Sequence, residues 1–322
     1  MNIIITSAGR RVSLVRAFQK ELKQLVQNGK VFTADADPLA SAACHVADGY
    51  VQVPLLDQPD YVDTLIKFCT LKNISLIVPT IDMELLVLAR HAAQFEANNI
   101  KLVLSSKDFI QKCRNKRIIH EFFRVKGIST AREFSKDNFT LPLYIKPLDG
   151  SRSVDNYIIT CKEELRDYHF KNDKLMFLEY LDHNEYEEFT CDLYYDKNNI
   201  LKCAVPRKRI EVRDGEVNKG LTLRNELVPY IQNHLSEIKG ARGCLTAQFF
   251  KHKTNNKIFG IEINPRFGGG FPLSYLAGAN FPKWIIQEYL LDQKIEENFE
   301  VWESNLLMIR YDDEILVHGY KN

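Results

Sequence analysis

The chain has 322 residues, with 43 Lys and Arg against 42 Asp and Glu, a net charge of +1 and 45% hydrophobic residues. That is sequence for about two domains of about 150 residues each. The balance excludes a disordered, collagen-like or strongly basic nucleic-acid-binding chain. No apolar run approaches the roughly 18 residues that cross a bilayer, and Met1 to Thr6 lack the positive start and cleavage site of a secretory leader. A cytoplasmic protein with no membrane or nucleic-acid partner is expected. The seven cysteines are scattered singly and read as small buried hydrophobes, and the eight histidines form no ligand spacing.

Residues 2–6, 31–34, 50–53, 76–79 and 101–104 read as strands. Between them, Leu14, Val15, Phe18, Leu22, Leu25 and Val26 share one helical face, and Leu85, Leu86, Ala89, Ala92 and Ala93 share another. This alternation predicts a parallel sheet covered by helices. After helices near 106–113 and 115–126 the pattern changes, with strands expected at 141–146, 156–160, 175–179, 187–195, 200–207, 243–251 and 257–264 and helices near 162–171, 226–239 and 281–291. Strands that follow one another this closely predict an antiparallel sheet. Residues 306–318 read as two short strands around Tyr311-Asp312-Asp313. The expected class is therefore an α/β domain with a parallel sheet followed by an α+β region, with a boundary near 105.

The segment Phe259-Gly-Ile-Glu262-Ile-Asn264-Pro-Arg266-Phe-Gly-Gly-Gly270 carries the chemistry. On a strand Glu262 and Asn264 face one way while Ile261 and Ile263 face the core. Two oxygen ligands on that face suit Mg2+ held together with nucleotide phosphates, and Arg266 could neutralise a phosphoryl group in transfer. A hairpin centred near Asn255 sets Gln248 opposite Glu262, the parity that keeps both polar groups on one face. An ordinary solvated hairpin would not require three glycines directly afterwards.

These residues resemble the metal-binding segment of ATP-grasp ligases, particularly the carbamoyl-phosphate-synthase-like branch, over roughly residues 1–290. The resemblance implies a pre-ATP-grasp Rossmann-like domain at 1–105, linker helices and a small ATP-grasp subdomain at 106–182, and a carboxyl-terminal subdomain with terminal strands at 183–322. It implies ATP and Mg2+, for which Mn2+ can stand in, with Gln248, Glu262 and Asn264 as metal ligands. Lys116 and Lys146 match the two ATP-contacting lysines, although Asn115 replaces the family's usual acid before the first. Asp149-Gly-Ser151-Arg-Ser153 occupies the place of the phosphate loop. Glu179, Tyr180 and Leu181 resemble the adenine hinge, and Glu188 the ribose ligand, with Glu185 and Glu187 as competitors. Arg266, Lys146 and Arg209 are the implied catalytic residues.

The loop after the first strand, Ser7-Ala-Gly9-Arg10-Arg11, has one glycine and is not the dinucleotide fingerprint. Gly9, Arg10, Asp82, Arg207, Gly269 and Gly270 are candidates for contact with an acid substrate, and Asp35, Asp37, Thr80 and Glu84 stand at strand ends where such sheets bind ligands. The implied activity is an ATP-dependent carboxylate–amine ligase that forms an amide through an acyl phosphate and releases ADP and phosphate. Its partners would be small-molecule carboxylate and amine substrates, with a homodimer left open. The alternatives are activation of an acceptor that forms no amide, and a silent ATP-binding module.

Overall fold

The computed structural model describes residues 1–150, 155–213, 216–255 and 257–320. The first hundred residues alternate strand and helix: β1 (Asn2–Thr6), α1 (Val12–Leu25), β2 (Val31–Asp35), α2 (Ala42–Val46), β3 (Tyr50–Gln52), α3 (Tyr61–Leu71), β4 (Ile74–Pro79), α4 (Asp82–Arg90), α5 (Ala92–Ala97) and β5 (Lys101–Leu102). The five strands lie in the order β3-β2-β1-β4-β5, and every pair is parallel. Helices cover both faces, which is why Ile3, Ile4 and Ile5 on the central strand are all fully buried. Helices α2 and α3 lie outside the expected set, and the helix expected through Ala93 is broken at His91.

Helices α6 (Lys107–Arg114) and α7 (Lys116–Val125) lead into β6 (Glu133–Phe134), β7 (Leu143–Pro147), β8 (Tyr157–Ile159), α8 (Asp167–Lys171) and β9 (Leu175–Glu179). These strands form a four-stranded antiparallel sheet in the order β6-β9-β7-β8. A 3-10 turn at Lys162–Glu164 replaces the first half of the helix expected there.

The remaining elements are β10 (Tyr186–Tyr195), β11 (Leu201–Arg213), β12 (Glu216–Thr222), α9 (Leu227–Leu235), β13 (Gly243–His252), β14 (Ile258–Asn264), α10 (Phe271–Leu276), α11 (Phe281–Ile285) and β15 (Leu307–Ile309). Their sheet has six strands in the order β14-β13-β10-β11-β12-β15. Strand β11 runs past its expected end to pair with β12. Only one of the two strands expected in 306–318 forms among the described residues, because β15 finds β12 as a partner and the chain after it finds none.

Alternation divides the six-stranded sheet into two faces. Phe189, Cys191, Leu193, Ala247, Phe249 and Ile263 face a core built with Phe109, Phe123 and α9. Tyr194, Val205 and Cys244 face the other way, into a core that also holds Phe267, Phe271, Trp284 and, from the first sheet and its helix, Ile3, Ile5 and Phe18. The edge of Phe18 meets Phe267 with ring centroids 6.0 Å apart. One hydrophobic core therefore joins the parallel sheet to the antiparallel one. No helix among the described residues is long and apolar enough to cross a membrane.

Candidate active site

The antiparallel register builds the first part of the site. Gln248 on β13 pairs with Glu262 on β14, and Thr246 with Asn264. On the other side of β13, Gln248 pairs with Thr190 and Thr246 with Asp192 on β10, and Thr190 in turn pairs with Arg207 on β11. Directly opposed residues share a face, so Glu262, Gln248, Thr190 and Arg207 form one polar row across four strands. The Asn264 side-chain amide donates to Glu262 Oε1 at 2.9 Å, which leaves its own oxygen as an acceptor. Among the described residues no three His, Cys, Asp or Glu gather as a metal site. One carboxylate and two amide oxygens nevertheless fit a Mg2+ ion that takes its other ligands from phosphate and water.

The four-stranded sheet contributes Tyr144 and Lys146, which alternate with the buried Leu143 and Ile145 on β7. Lys146 is only 6% exposed. Burial pulls its ammonium down to about 8, opposed by the Glu262 carboxylate and reinforced by Lys116. Burial and the charges of Glu188 and Glu262 hold the Tyr144 phenol above its ordinary value, while Asn156 donates to its oxygen at 2.7 Å. Lys116 opens α7, whose first turn is capped by Asn115 accepting from the N–H groups of Arg117 and Ile118. Asn115 therefore does the capping that an acid would do. The Lys116 ammonium donates to the Gly150 carbonyl at 3.2 Å, on the edge of the loop carrying Ser151 and Ser153, which lie outside the described residues.

His120, on the same helix, is depressed to about 4 by burial and by the nearby Lys146 charge, and its Nε2 lies 3.2 Å from the Ile261 carbonyl. Glu179 ends β9 exposed, its N–H donating to the Arg132 carbonyl at 2.8 Å, and Tyr180 and the buried Leu181 follow. Of the three neighbouring glutamates, Glu188 shares the face of Thr190 and so of Gln248 and Glu262, and it accepts from Arg209. Glu187 points the other way and is held by Lys208 at 2.6 Å. Glu185 accepts from the Lys253 N–H through its backbone.

The parallel sheet supplies the rest. Asp82, just past β4, accepts from Arg266 Nε and Nη2 at 2.9 and 2.6 Å, a pairing across 184 residues. The Arg266 carbonyl accepts from Thr246 Oγ1 at 3.0 Å, which ties the backbone after β14 to the polar row. Gly9 adopts φ +47° and donates its N–H to Asp35 at 2.8 Å. Glu84 is fully enclosed and accepts from Tyr61 at 2.5 Å and Ser7 at 2.8 Å, and burial raises its carboxyl above the ordinary carboxylate range. Gly269 and Arg10 meet across a cleft between α1 and the glycine loop.

Arg207 departs from its expected place facing a substrate. It is 1% exposed, and its Nε and Nη2 donate to Asp192 at 2.7 and 3.0 Å while Ser274 donates to the same carboxylate at 2.6 Å. Its enclosed Nη1 has no hydrogen-bond partner and lies against Gly270, where an added Cβ would come within 2.1 Å of it. Helix α10 covers it, so Arg207 buttresses the glycine loop from behind. Ser274, Tyr61 and Arg310 belong to no motif, and Asp192 ends the segment that Glu188 begins.

Residues 171–308 match the family model described as ATP-grasp in the biosynthetic pathway with Ter operon, and residues 3–103 match that described as PylC-like, N-terminal domain. The chain carries an ATP-grasp region. Its fold recurs in the biotin carboxylase domain of Hydrogenobacter thermophilus 2-oxoglutarate carboxylase, at 14% identity and TM-score 0.72 over 95% of this chain and 73% of that one. Staphylococcus aureus N5-carboxyaminoimidazole synthetase, complexed with ADP, is similar at 16% identity and TM-score 0.68, over 93% of this chain and 79% of the other. The L-amino acid ligase of Bacillus licheniformis follows at 17% and 0.65, over 90% and 74%. No curated protein sequence matches this chain.

Proposed function

We propose that this protein is an ATP-dependent carboxylate–amine ligase. The observation that carries the reading is the polar row led by Glu262 and Gln248, with the buried Lys146 close enough to feel the Glu262 charge. Glu262, Gln248 and Asn264 would hold Mg2+, or Mn2+ in its place, which would supply positive charge to the nucleotide phosphates. Lys146 and Lys116 draw charge from those phosphates, Ser151 and Ser153 cover them, Glu179 to Leu181 hold the adenine, and Glu188 binds ribose. Arg266, released from Asp82, steadies the phosphoryl group in transfer, with Arg209 beside it.

A substrate carboxylate oxygen attacks the γ-phosphorus, forming an acyl phosphate as ADP leaves. An amine nitrogen then attacks the acyl carbon, loses a proton, and expels phosphate. No protein nucleophile takes part, so the residues act by positioning and by charge. The placement near carbamoyl phosphate synthases, the homodimer and the domain boundaries near 105 and 182 belong to the same proposal.

Thermal stability of wild type and Lys146→Ala, with and without Mg-ATP, tests it. Ligand at about a hundred times its dissociation constant adds roughly 2.7 kcal/mol. The expected result is a magnesium-dependent rise in wild type that shrinks in the variant, followed by ADP release when acid and amine pairs are supplied. A folded wild type with no shift at millimolar Mg-ATP overturns the reading.

A further inference from the structure

Strand pairing orders the side chains on the face of the four-stranded sheet that carries Lys146. On β7 Lys146 pairs with Met176 and Tyr144 with Leu178, while Leu143 pairs with Glu179, where the expected adenine hinge begins. Tyr144 therefore stands at the hinge end of this face. Lys146 is two residues further on, about 7 Å along the strand, toward Leu148 and Gly150. The acids of the polar row follow the same order. Burial and, among the carboxylates, Glu188 ahead of Glu262 raise the Tyr144 phenol, whereas after burial it is Glu262 that acts on Lys146.

Tyr144 is half-buried, paired with the exposed Ile158 on β8 and the buried Leu178 on β9. The Asn156 amide donates to its oxygen at 2.7 Å, and among the described residues no acceptor takes the phenol's own proton. The hydroxyl is thus fixed in place between two apolar neighbours with its donor free. Arg209 donates to Glu188 Oε1 and leaves Oε2. A free donor on one sheet and a free acceptor on the other match a group that both accepts and donates, as a sugar hydroxyl does.

We propose that Tyr144 and Glu188 hold one ribose hydroxyl of the nucleotide from opposite sheets, the phenol donating to its oxygen and the carboxylate accepting from its O–H, with Asn156 as the residue that positions Tyr144. The protein then selects ribonucleotides over deoxyribonucleotides, because an analogue lacking that hydroxyl leaves a half-buried phenol and carboxylate without partners. This rests on the nucleotide-binding part of the proposed function and not on ligation.

The test is calorimetric titration of the Mg2+ complexes of ATP, 2′-deoxy-ATP and 3′-deoxy-ATP into wild type, Tyr144→Phe and Asn156→Ala. Tyr144→Phe removes one oxygen and keeps the ring, so the fold is retained. Wild type is expected to bind ATP about tenfold more tightly than the analogue that lacks the held hydroxyl. Tyr144→Phe should weaken ATP by about tenfold and leave that analogue as it binds to wild type, the coupling that a double-mutant cycle isolates. Asn156→Ala should show the same pattern at about threefold. The analogue that behaves this way names the hydroxyl. Equal ATP affinity in wild type and Tyr144→Phe, equal affinity of wild type for all three nucleotides, or a loss in Tyr144→Phe shared by ATP and both analogues overturns the proposal and leaves the nucleotide site standing. A folded wild type that binds no Mg-ATP overturns this proposal and the ligase reading together.

Discussion

The parallel and antiparallel sheets offer side chains to the site by opposite means. In the parallel sheet both faces are covered, so the candidate residues stand at or just beyond the carboxyl ends of the strands: Gly9 follows β1, Asp35 ends β2, and Asp82 and Glu84 open the helix after β4. In the six-stranded sheet the face itself carries them, in one row from Glu262 on the edge strand to Arg207 further in. The row also changes character along its length. Its edge is open to a ligand, while Arg207 and Asp192 are sealed under α10 and serve the fold.

The contrast within the row is broken most directly at its open end. Glu262→Ala should abolish turnover, a loss of about a thousandfold or more, while the melting temperature stays near that of wild type, and normal kcat in the purified variant would remove Glu262 from the site. At the sealed end, Arg207→Ala leaves the Asp192 carboxylate buried without its partner and should destabilise the fold by about 3–5 kcal/mol in urea unfolding. A loss below about 1 kcal/mol would mean that the two ends do not differ.

Acidification probes helix α7, which packs beside β14. His120 is kept neutral in the fold, at about 4 against an ordinary 6.5, so the unfolded chain takes up the proton first. The stability tied to the neutral ring is therefore whole above about pH 6.5 and drains away as pH falls toward 4, by roughly 3 kcal/mol at most. His120→Gln should flatten that part of the stability–pH curve between pH 7 and 5, and an unchanged slope would place the acid sensitivity elsewhere. The smallest effect belongs to the strand-end group: Asp82→Asn removes a partly exposed ion pair and should cost no more than about 1 kcal/mol in stability, while raising activity at subsaturating acid if Asp82 competes for Arg266. A fall in kcat instead would make Asp82 a positioning residue.

The strand-borne half of the candidate site was legible because alternation and hairpin parity are local rules. Counting back from Asn255 pairs Gln248 with Glu262, and the structure has that pairing. The unread half depends on distance: Asp192 meets Ser274 across 82 residues and Asp82 meets Arg266 across 184. Arg207 and Arg209 alternate on one strand and read alike, and only the packing of α10 over Arg207 separates them. Helix α3 is a different case, since Tyr61, Val62, Leu65, Ile66 and Cys69 carry helical spacing that the strand–helix reading passed over. The end of the chain was misread because apolar residues near 306–318 suggest two strands where partner geometry allows β15 alone.

The ring contact between Phe18 and Phe267 has a bearing on descent. Phe267 is the neighbour of Arg266, so the helix that packs on the first sheet also supports the loop that follows β14. Recombination that brought in the first hundred residues from a distant relative would exchange the surface under Phe267 and disturb its neighbour with it. Positions 18 and 267 should therefore be inherited as a pair, and the two halves of the gene are not freely interchangeable parts.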